Sequence, residues 1–152
     1  MGVNTCDDET FNLYRKQWSS HLQNIKLPED MNPSIGQVIL SQLDEAYAIL
    51  RIDFAEIEAS RDKAESIIRQ NERSKANGKN EDDRKKNATE YLENYPVDED
   101  ETVDMYEWVR LLNYRYSIIK GFVDVINNKQ NRLITMSGFL KIDTNLGSGM
   151  HQ

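Results

Sequence analysis

Between Met105 and Leu133 the apolar residues return at alternating spacings of four and three: Met105, Val109, Leu112, Tyr116, Ile119, Val123, Ile126 and Leu133, with Gln130 as the polar member. An α-helix makes a turn every 3.6 residues, so this 3.5-residue period holds the side chains on one line, as helices wound side by side require. Gly121 lies off the line and costs about 1 kcal/mol relative to Ala, which a helix with this much packing absorbs. A helix so striped needs a partner of comparable length.

The sequence supplies one. Asn32 followed by Pro33 is a helix start, with Asn as N-cap and Pro in the first helical position. From Pro33 to about Ala76 there is no further proline and only Gly36, so one helix of roughly 65 Å is allowed at 1.5 Å per residue. Its stripe reads Ile35, Ile39, Leu43, Ala46, Leu50, Phe54, Ile57, Ala64 and Ile68, with Arg61 in the one gap. Two long helices joined by polar, breaker-containing sequence fold back on each other most simply. The expected fold is therefore all-α, a long antiparallel helical hairpin of coiled-coil character with a short N-terminal helix. Val109, Leu112, Tyr116, Ile119, Val123, Ile126 and Leu133 are expected to carry its oligomerisation.

The remaining segments are read from their punctuation. Asp7 or Asp8 caps a first helix, to about Lys26, whose stripe is Phe11, Tyr14, Trp18, Leu22 and Ile25. Leu27 to Pro33 breaks it. Asn77-Gly78-Lys79-Asn80 is a helix stop and turn, and Asn80 starts another helix, about Glu81 to Tyr95. Pro96 interrupts that helix, and Asp98-Glu99-Asp100-Glu101 is expected to supply the acidic first turn of the next. After Ser137-Gly138, Phe139 to Ile142 reads as a short apolar element and the end as a frayed tail. The expected division is residues 1–31 as N-terminal helix and linker, 32–142 as hairpin, and 143–152 as flexible tail.

Chemistry is hard to find in this chain. Catalysis needs convergent polar groups with a base near neutral pH, and His21 and His151 are far apart on a short helix and in the tail. Cys6 is the sole cysteine; it excludes an internal disulfide, has no neighbouring base, and points to a reducing, cytoplasmic setting. Glycine-rich phosphate loops are missing, and the acidic run from Asp98 to Asp104 lacks the glycine turn of a calcium loop. Hence no enzyme, cofactor or metal is expected. No stretch approaches the roughly 18 apolar residues of a membrane span.

Charge is more informative in its distribution than in its total. The net charge of −7 argues against indiscriminate nucleic-acid binding. Yet Arg69, Arg73, Lys75, Lys79, Arg84, Lys85 and Lys86 gather around the expected hairpin turn, partly offset by Glu72, Glu81, Asp82 and Asp83. Identical turns repeated in an oligomer would make a multivalent site of a weak one. A second basic set, Arg110, Arg115, Lys120, Lys129, Arg132 and Lys141, follows on the last helix, where Glu107 and Asp124 oppose it. That surface is expected to face an acidic partner or a nucleic-acid backbone. Trp108 and Tyr114 are candidates for a contact with a protein helix, whereas Tyr116 belongs to the seam.

From Ile35 to Ile142, the long first helix, the basic connection and the terminal helix ending Ile126-Asn127-Asn128-Lys129-Gln130-Asn131-Arg132-Leu133-Ile134 resemble the UvsY-type recombination mediators of bacteriophages. The segment Gly78 to Lys85 is also similar to small phage proteins of this build. The resemblance implies a non-enzymatic homo-oligomer that binds single-stranded DNA and helps a RecA-like recombinase load on DNA coated with a single-strand binding protein. It implies DNA contacts at Arg69, Arg73, Lys75 and Lys79, with Arg84 and Lys85 as neighbours. The alternative is a coiled-coil adaptor or phage assembly factor that recognises protein through Trp108, Tyr114 and the first helix, without DNA binding.

Overall fold

The computed structural model describes residues 2–30 and 32–149, with side chains to residue 137. The fold is all-α: helix α1 (Asp8–Asn24), α2 (Pro33–Ser74), α3 (Glu81–Glu93) and α4 (Met105–Gly149), with the two-residue strands β1 (Tyr95–Pro96) and β2 (Thr102–Val103) between the last two helices. Helices α2 and α4 form the antiparallel hairpin that their stripes require. The chain divides into two compact units, Met1–Asp53 with Ile119–Gln152, and Phe54–Ile118.

In the first unit, α1 lies with the first half of α2 and the last part of α4. Its start is fixed by Asp7, whose carboxylate accepts the Thr10 backbone N–H at 2.6 Å, one of the donors that a helix leaves unsatisfied. Phe11, Trp18, Leu22 and Ile25 are buried, as their spacing predicts. Trp18 meets Phe11 edge-on at 6.1 Å, stacks on Tyr14 at 5.9 Å and meets Phe122 of α4 at 5.8 Å. The polar N-terminus also packs, because Val3 and Cys6 are buried and the Cys6 thiol faces the Val3 carbonyl at 3.6 Å. From α2 the unit takes Ile39, Leu43, Ala46 and Leu50, and from α4 Ile119, Ile126 and Leu133. Burying each of the Ile and Leu side chains among these contributes about 2 kcal/mol. Gln130, the polar member of the α4 stripe, donates to Asp44 of α2 at 2.8 Å.

In the second unit, Ala64, Leu92, Met105 and Leu112 form the core, with Ile67, Ile68, Tyr91 and Trp108 packed around it. Phe54 stacks on Tyr116 at 5.0 Å, and Arg61 fills the gap in the α2 stripe by lying 3.9 Å from the Tyr116 ring centroid. A cation over an aromatic face is thus accepted where the other positions are apolar. Further along α2, the Tyr106 hydroxyl donates to Glu72 at 3.2 Å. Burial, joined by the negative charge of Glu72, raises the pKa of this phenol.

Several expectations are corrected. Ile35, read as part of the α2 core stripe, is exposed. The acidic run does not open α4; it makes the turn of a small hairpin in which Tyr95 pairs with Val103 and Pro96 with Thr102. Asp104 opens α4 instead, its carboxylate accepting the backbone N–H groups of Tyr106 at 2.9 Å and Glu107 at 3.2 Å. Ser137-Gly138 does not end α4, whose backbone stays helical to Gly149. One isolated glycine costs a helix only about 1 kcal/mol, and no proline follows it. Of the expected tail, residues 150–152, with His151, lie outside the described residues.

The residues expected to carry oligomerisation all lie on α4. Leu112, Ile119, Ile126 and Leu133 are fully buried within a single chain, and Val109, Tyr116 and Val123 are half-buried. Within the single chain, the seam on α4 is taken up by intramolecular packing.

Candidate nucleic-acid interface

The basic residues around the α2–α3 turn all belong to the second unit, and the turn that gathers them is built locally. The Lys75 backbone N–H still bonds to Asn71 at 2.9 Å, and the Asn77 N–H then turns back to the Lys75 carbonyl at 2.9 Å. Gly78 is needed for close approach: a Cβ there would stand 2.6 Å from Cβ of Asp83 and 2.9 Å from the Arg84 nitrogen. Asn80 caps α3 by accepting the Asp83 N–H at 2.8 Å, the arrangement its spacing predicts. The Asn87 side chain closes the turn by donating to the Asn77 carbonyl.

This geometry sorts the cations by what they touch. Lys75 lies over the Tyr91 ring, 4.6 Å from its centroid, and Arg84 donates its Nε–H to the Gly78 carbonyl at 3.2 Å. Lys86 is within 3.8 Å of Glu90 one helical turn away. Arg69, Arg73, Lys79 and Lys85 are exposed and have no ion-pair partner among the described residues. Arg69 and Arg73 are four residues apart on one face of α2, where with Ser66 and Gln70 they line a shallow cavity of about 360 Å³. Seven basic residues against four acidic ones between positions 69 and 86 leave this turn positive on a chain of net charge −7. The rest of the chain is correspondingly more acidic, so an anionic ligand is favoured here. Tyr91 is half-buried and engaged by Lys75 and, edge-on at 5.9 Å, by Tyr95. The turn therefore presents exposed positive charge, while the Tyr91 ring beside it is already engaged.

The second basic set does not form a surface. Arg110 pairs with Glu107, Arg115 is buried, and Lys129 donates to the carbonyls of Leu22 at 2.9 Å and Ile25 at 2.7 Å at the end of α1. Lys120 and Arg132 are exposed, and Lys141 lies outside the described side chains. The expectation of a basic face on α4 is corrected, because Arg110, Arg115 and Lys129 are taken up by an ion pair, by burial and by backbone carbonyls.

Trp108 and Tyr114 border a recess of about 630 Å³ with Val103, Asp104, Glu107 and Leu111. Tyr114 is exposed and Trp108 half-buried, so the pair expected to contact protein does share one hollow. Sequence reasoning missed a second hollow, about 340 Å³, where Tyr14, Trp18 and His21 of α1 face Ile49, Leu50 and Asp53 of α2. It arises from the packing of α1 against α2, which no local motif encodes. Among the described residues, no cluster of three or more His, Cys, Asp or Glu side chains has the arrangement of a metal site, and no helix is long and apolar enough to cross a membrane. Comparison with protein-family models, curated proteins and solved structures finds no match.

Proposed function

We propose that this chain is a non-enzymatic recombination mediator that binds single-stranded DNA through the α2–α3 turn and, as a homo-oligomer, assists the loading of a RecA-like recombinase on strands covered by a single-strand binding protein. The observation that supports it is the exposed group Arg69, Arg73, Lys79 and Lys85, unpaired by any acid among the described residues and gathered on an otherwise acidic chain. Lys75 and Arg84, already engaged by Tyr91 and Gly78, hold the turn and add their charge at its edge. Phosphate contacts of this kind carry no base specificity, which suits a protein acting on arbitrary strands.

The test is binding to a labelled single-stranded oligonucleotide across a salt series. Four phosphate contacts release counterions with a slope of about −3 in log K against log salt. Replacing Arg69, Arg73, Lys79 and Lys85 by Gln should abolish retention while leaving the helical signal intact. Equal binding by this variant, or no binding by the parent at low salt, counts decisively against the reading.

The recess beside Trp108 and Tyr114 favours a second reading, an adaptor that receives an apolar side chain from a protein partner. Capture of a protein that persists at high salt, is lost on Trp108→Ala with Tyr114→Ala, and occurs without nucleic-acid affinity would select it.

A further inference from the structure

The first half of α2 carries two stripes, of which the hairpin uses one. Ile39, Leu43, Ala46 and Leu50 are buried. Offset from them around the helix, positions 35, 38, 42, 45, 49 and 52 alternate spacings of three and four. They read Ile35, Val38, Gln42, Glu45, Ile49 and Ile52, and the four apolar members are between 47% and 64% exposed. This stripe lies wholly in the first unit. Gln42 and Glu45 have no hydrogen-bond or ion-pair partner among the described residues.

The pattern is the same in either direction. Two apolar residues, two polar ones and two apolar ones follow each other at spacings of three, four, three, four and three. A two-fold axis crossing the helix between residues 43 and 44 therefore sets Ile35 against the second copy's Ile52, Val38 against its Ile49, and Gln42 against its Glu45. An isologous contact demands such self-complementarity, and a stripe made for an unrelated helix has no need of it. The central pair fixes the direction. In the antiparallel arrangement each Gln42 amide can donate to a Glu45 carboxylate, whereas a parallel one would set Glu45 against Glu45. Ser41 and Ala48, small and exposed, flank the seam and allow the two backbones to come close.

We infer that the exposed α2 stripe from Ile35 to Ile52 is a homodimer interface in which two copies of this helix pair antiparallel about an axis between residues 43 and 44. The inference concerns self-association alone and holds whether or not nucleic acid binds. The contact extends over about 27 Å of helix, the low end of specific interfaces, so the dimer depends on protein concentration.

Light scattering joined to size exclusion across a concentration series should show a monomer passing to a dimer. Val38→Glu with Ile52→Glu should weaken that association by about 100-fold or more, since unpaired charges would be buried in the seam. Because both positions are exposed, the circular dichroism spectrum should not change. Register is read by a short thiol cross-linker: Val38→Cys and Ile49→Cys chains should join when mixed, and neither should join to itself to the same extent. Cys6 is buried, and the parent chain run beside the variants measures any contribution from it. A chain that stays monomeric at high micromolar concentration overturns the inference. So does a dimer indifferent to the two Glu substitutions, or a Val38→Cys chain that cross-links to itself as readily as to its mate.

Discussion

Two basic sets of similar size lie on this chain, one around the α2–α3 turn and one along α4, and only the first remains a surface. In the α4 set, Arg115 goes into the interior, Lys129 closes the end of α1, and Arg110 pairs with Glu107. In the turn set, Arg69, Arg73, Lys79 and Lys85 keep their charges in solvent. The difference lies in the neighbours. Lys129 of α4 runs past the end of α1, whose carbonyls need donors, whereas the turn opens on an α3 that Asn80 has already capped. A charge run gains a functional meaning only once the demands of the fold on it are known.

The largest test of the contrast is Arg115. Its side chain is 1% exposed and combines a long aliphatic stem with a charge taken out of water. Arg115→Ala empties that volume and disturbs a buried charged site, so it should cost about 3 kcal/mol or more of unfolding free energy in a denaturant titration. A change within the error of the titration would return Arg115 to the category of surface cations. Lys129→Met comes next. The thioether stem keeps most of the packing, but the bonds to Leu22 and Ile25 are charge-assisted, and removing them should cost about 2 kcal/mol. Because both acceptors lie at the end of α1, amide exchange there should accelerate before exchange elsewhere in the first unit. Uniform acceleration would show that Lys129 contributes to global stability alone.

Asn80→Ala probes the frame of the turn. Removing the cap on the Asp83 N–H should cost about 1 kcal/mol. If the cations depend on that frame, DNA retention should fall with it, although no basic residue has changed. Retention unaltered by a loosened turn would mean that charge density suffices without the arrangement.

How much of the molecule is legible in its sequence follows from the range of each interaction. The caps at Asp7 and Asn80, the Asn32-Pro33 start and the α4 stripe involve residues within a few positions of each other, and the sequence displays them directly. The basic turn is legible for the same reason, its cations lying on both sides of one short break. Lys129 is not, because its acceptors are more than a hundred residues away, and they become its neighbours only when α1 docks. The hairpin at Tyr95 and Val103 escapes because strands of two residues have no period to detect. Nor can the sequence say which of two interleaved stripes on α2 the hairpin buries. Both have the spacing of a seam, and Ile35 belongs to the one left open.

The smallest expected effect on stability is at Arg69 and Arg73, and it completes the comparison. Both are exposed, neither has an ion-pair partner among the described residues, and the cavity between them is lined only by Ser66 and Gln70 besides themselves. Replacing both by Gln should therefore leave the denaturation midpoint nearly unchanged, within about 0.5 kcal/mol in stability. The same substitutions should make the salt slope of single-stranded DNA binding shallower by about 0.7 for each phosphate that is no longer neutralised. Arg115→Ala is expected to do the reverse, lowering stability and leaving the slope of the folded fraction intact. If Arg69 and Arg73 instead proved costly to stability and silent in binding, the turn would be one more structural use of arginine, and the proposed interface would have to be sought elsewhere.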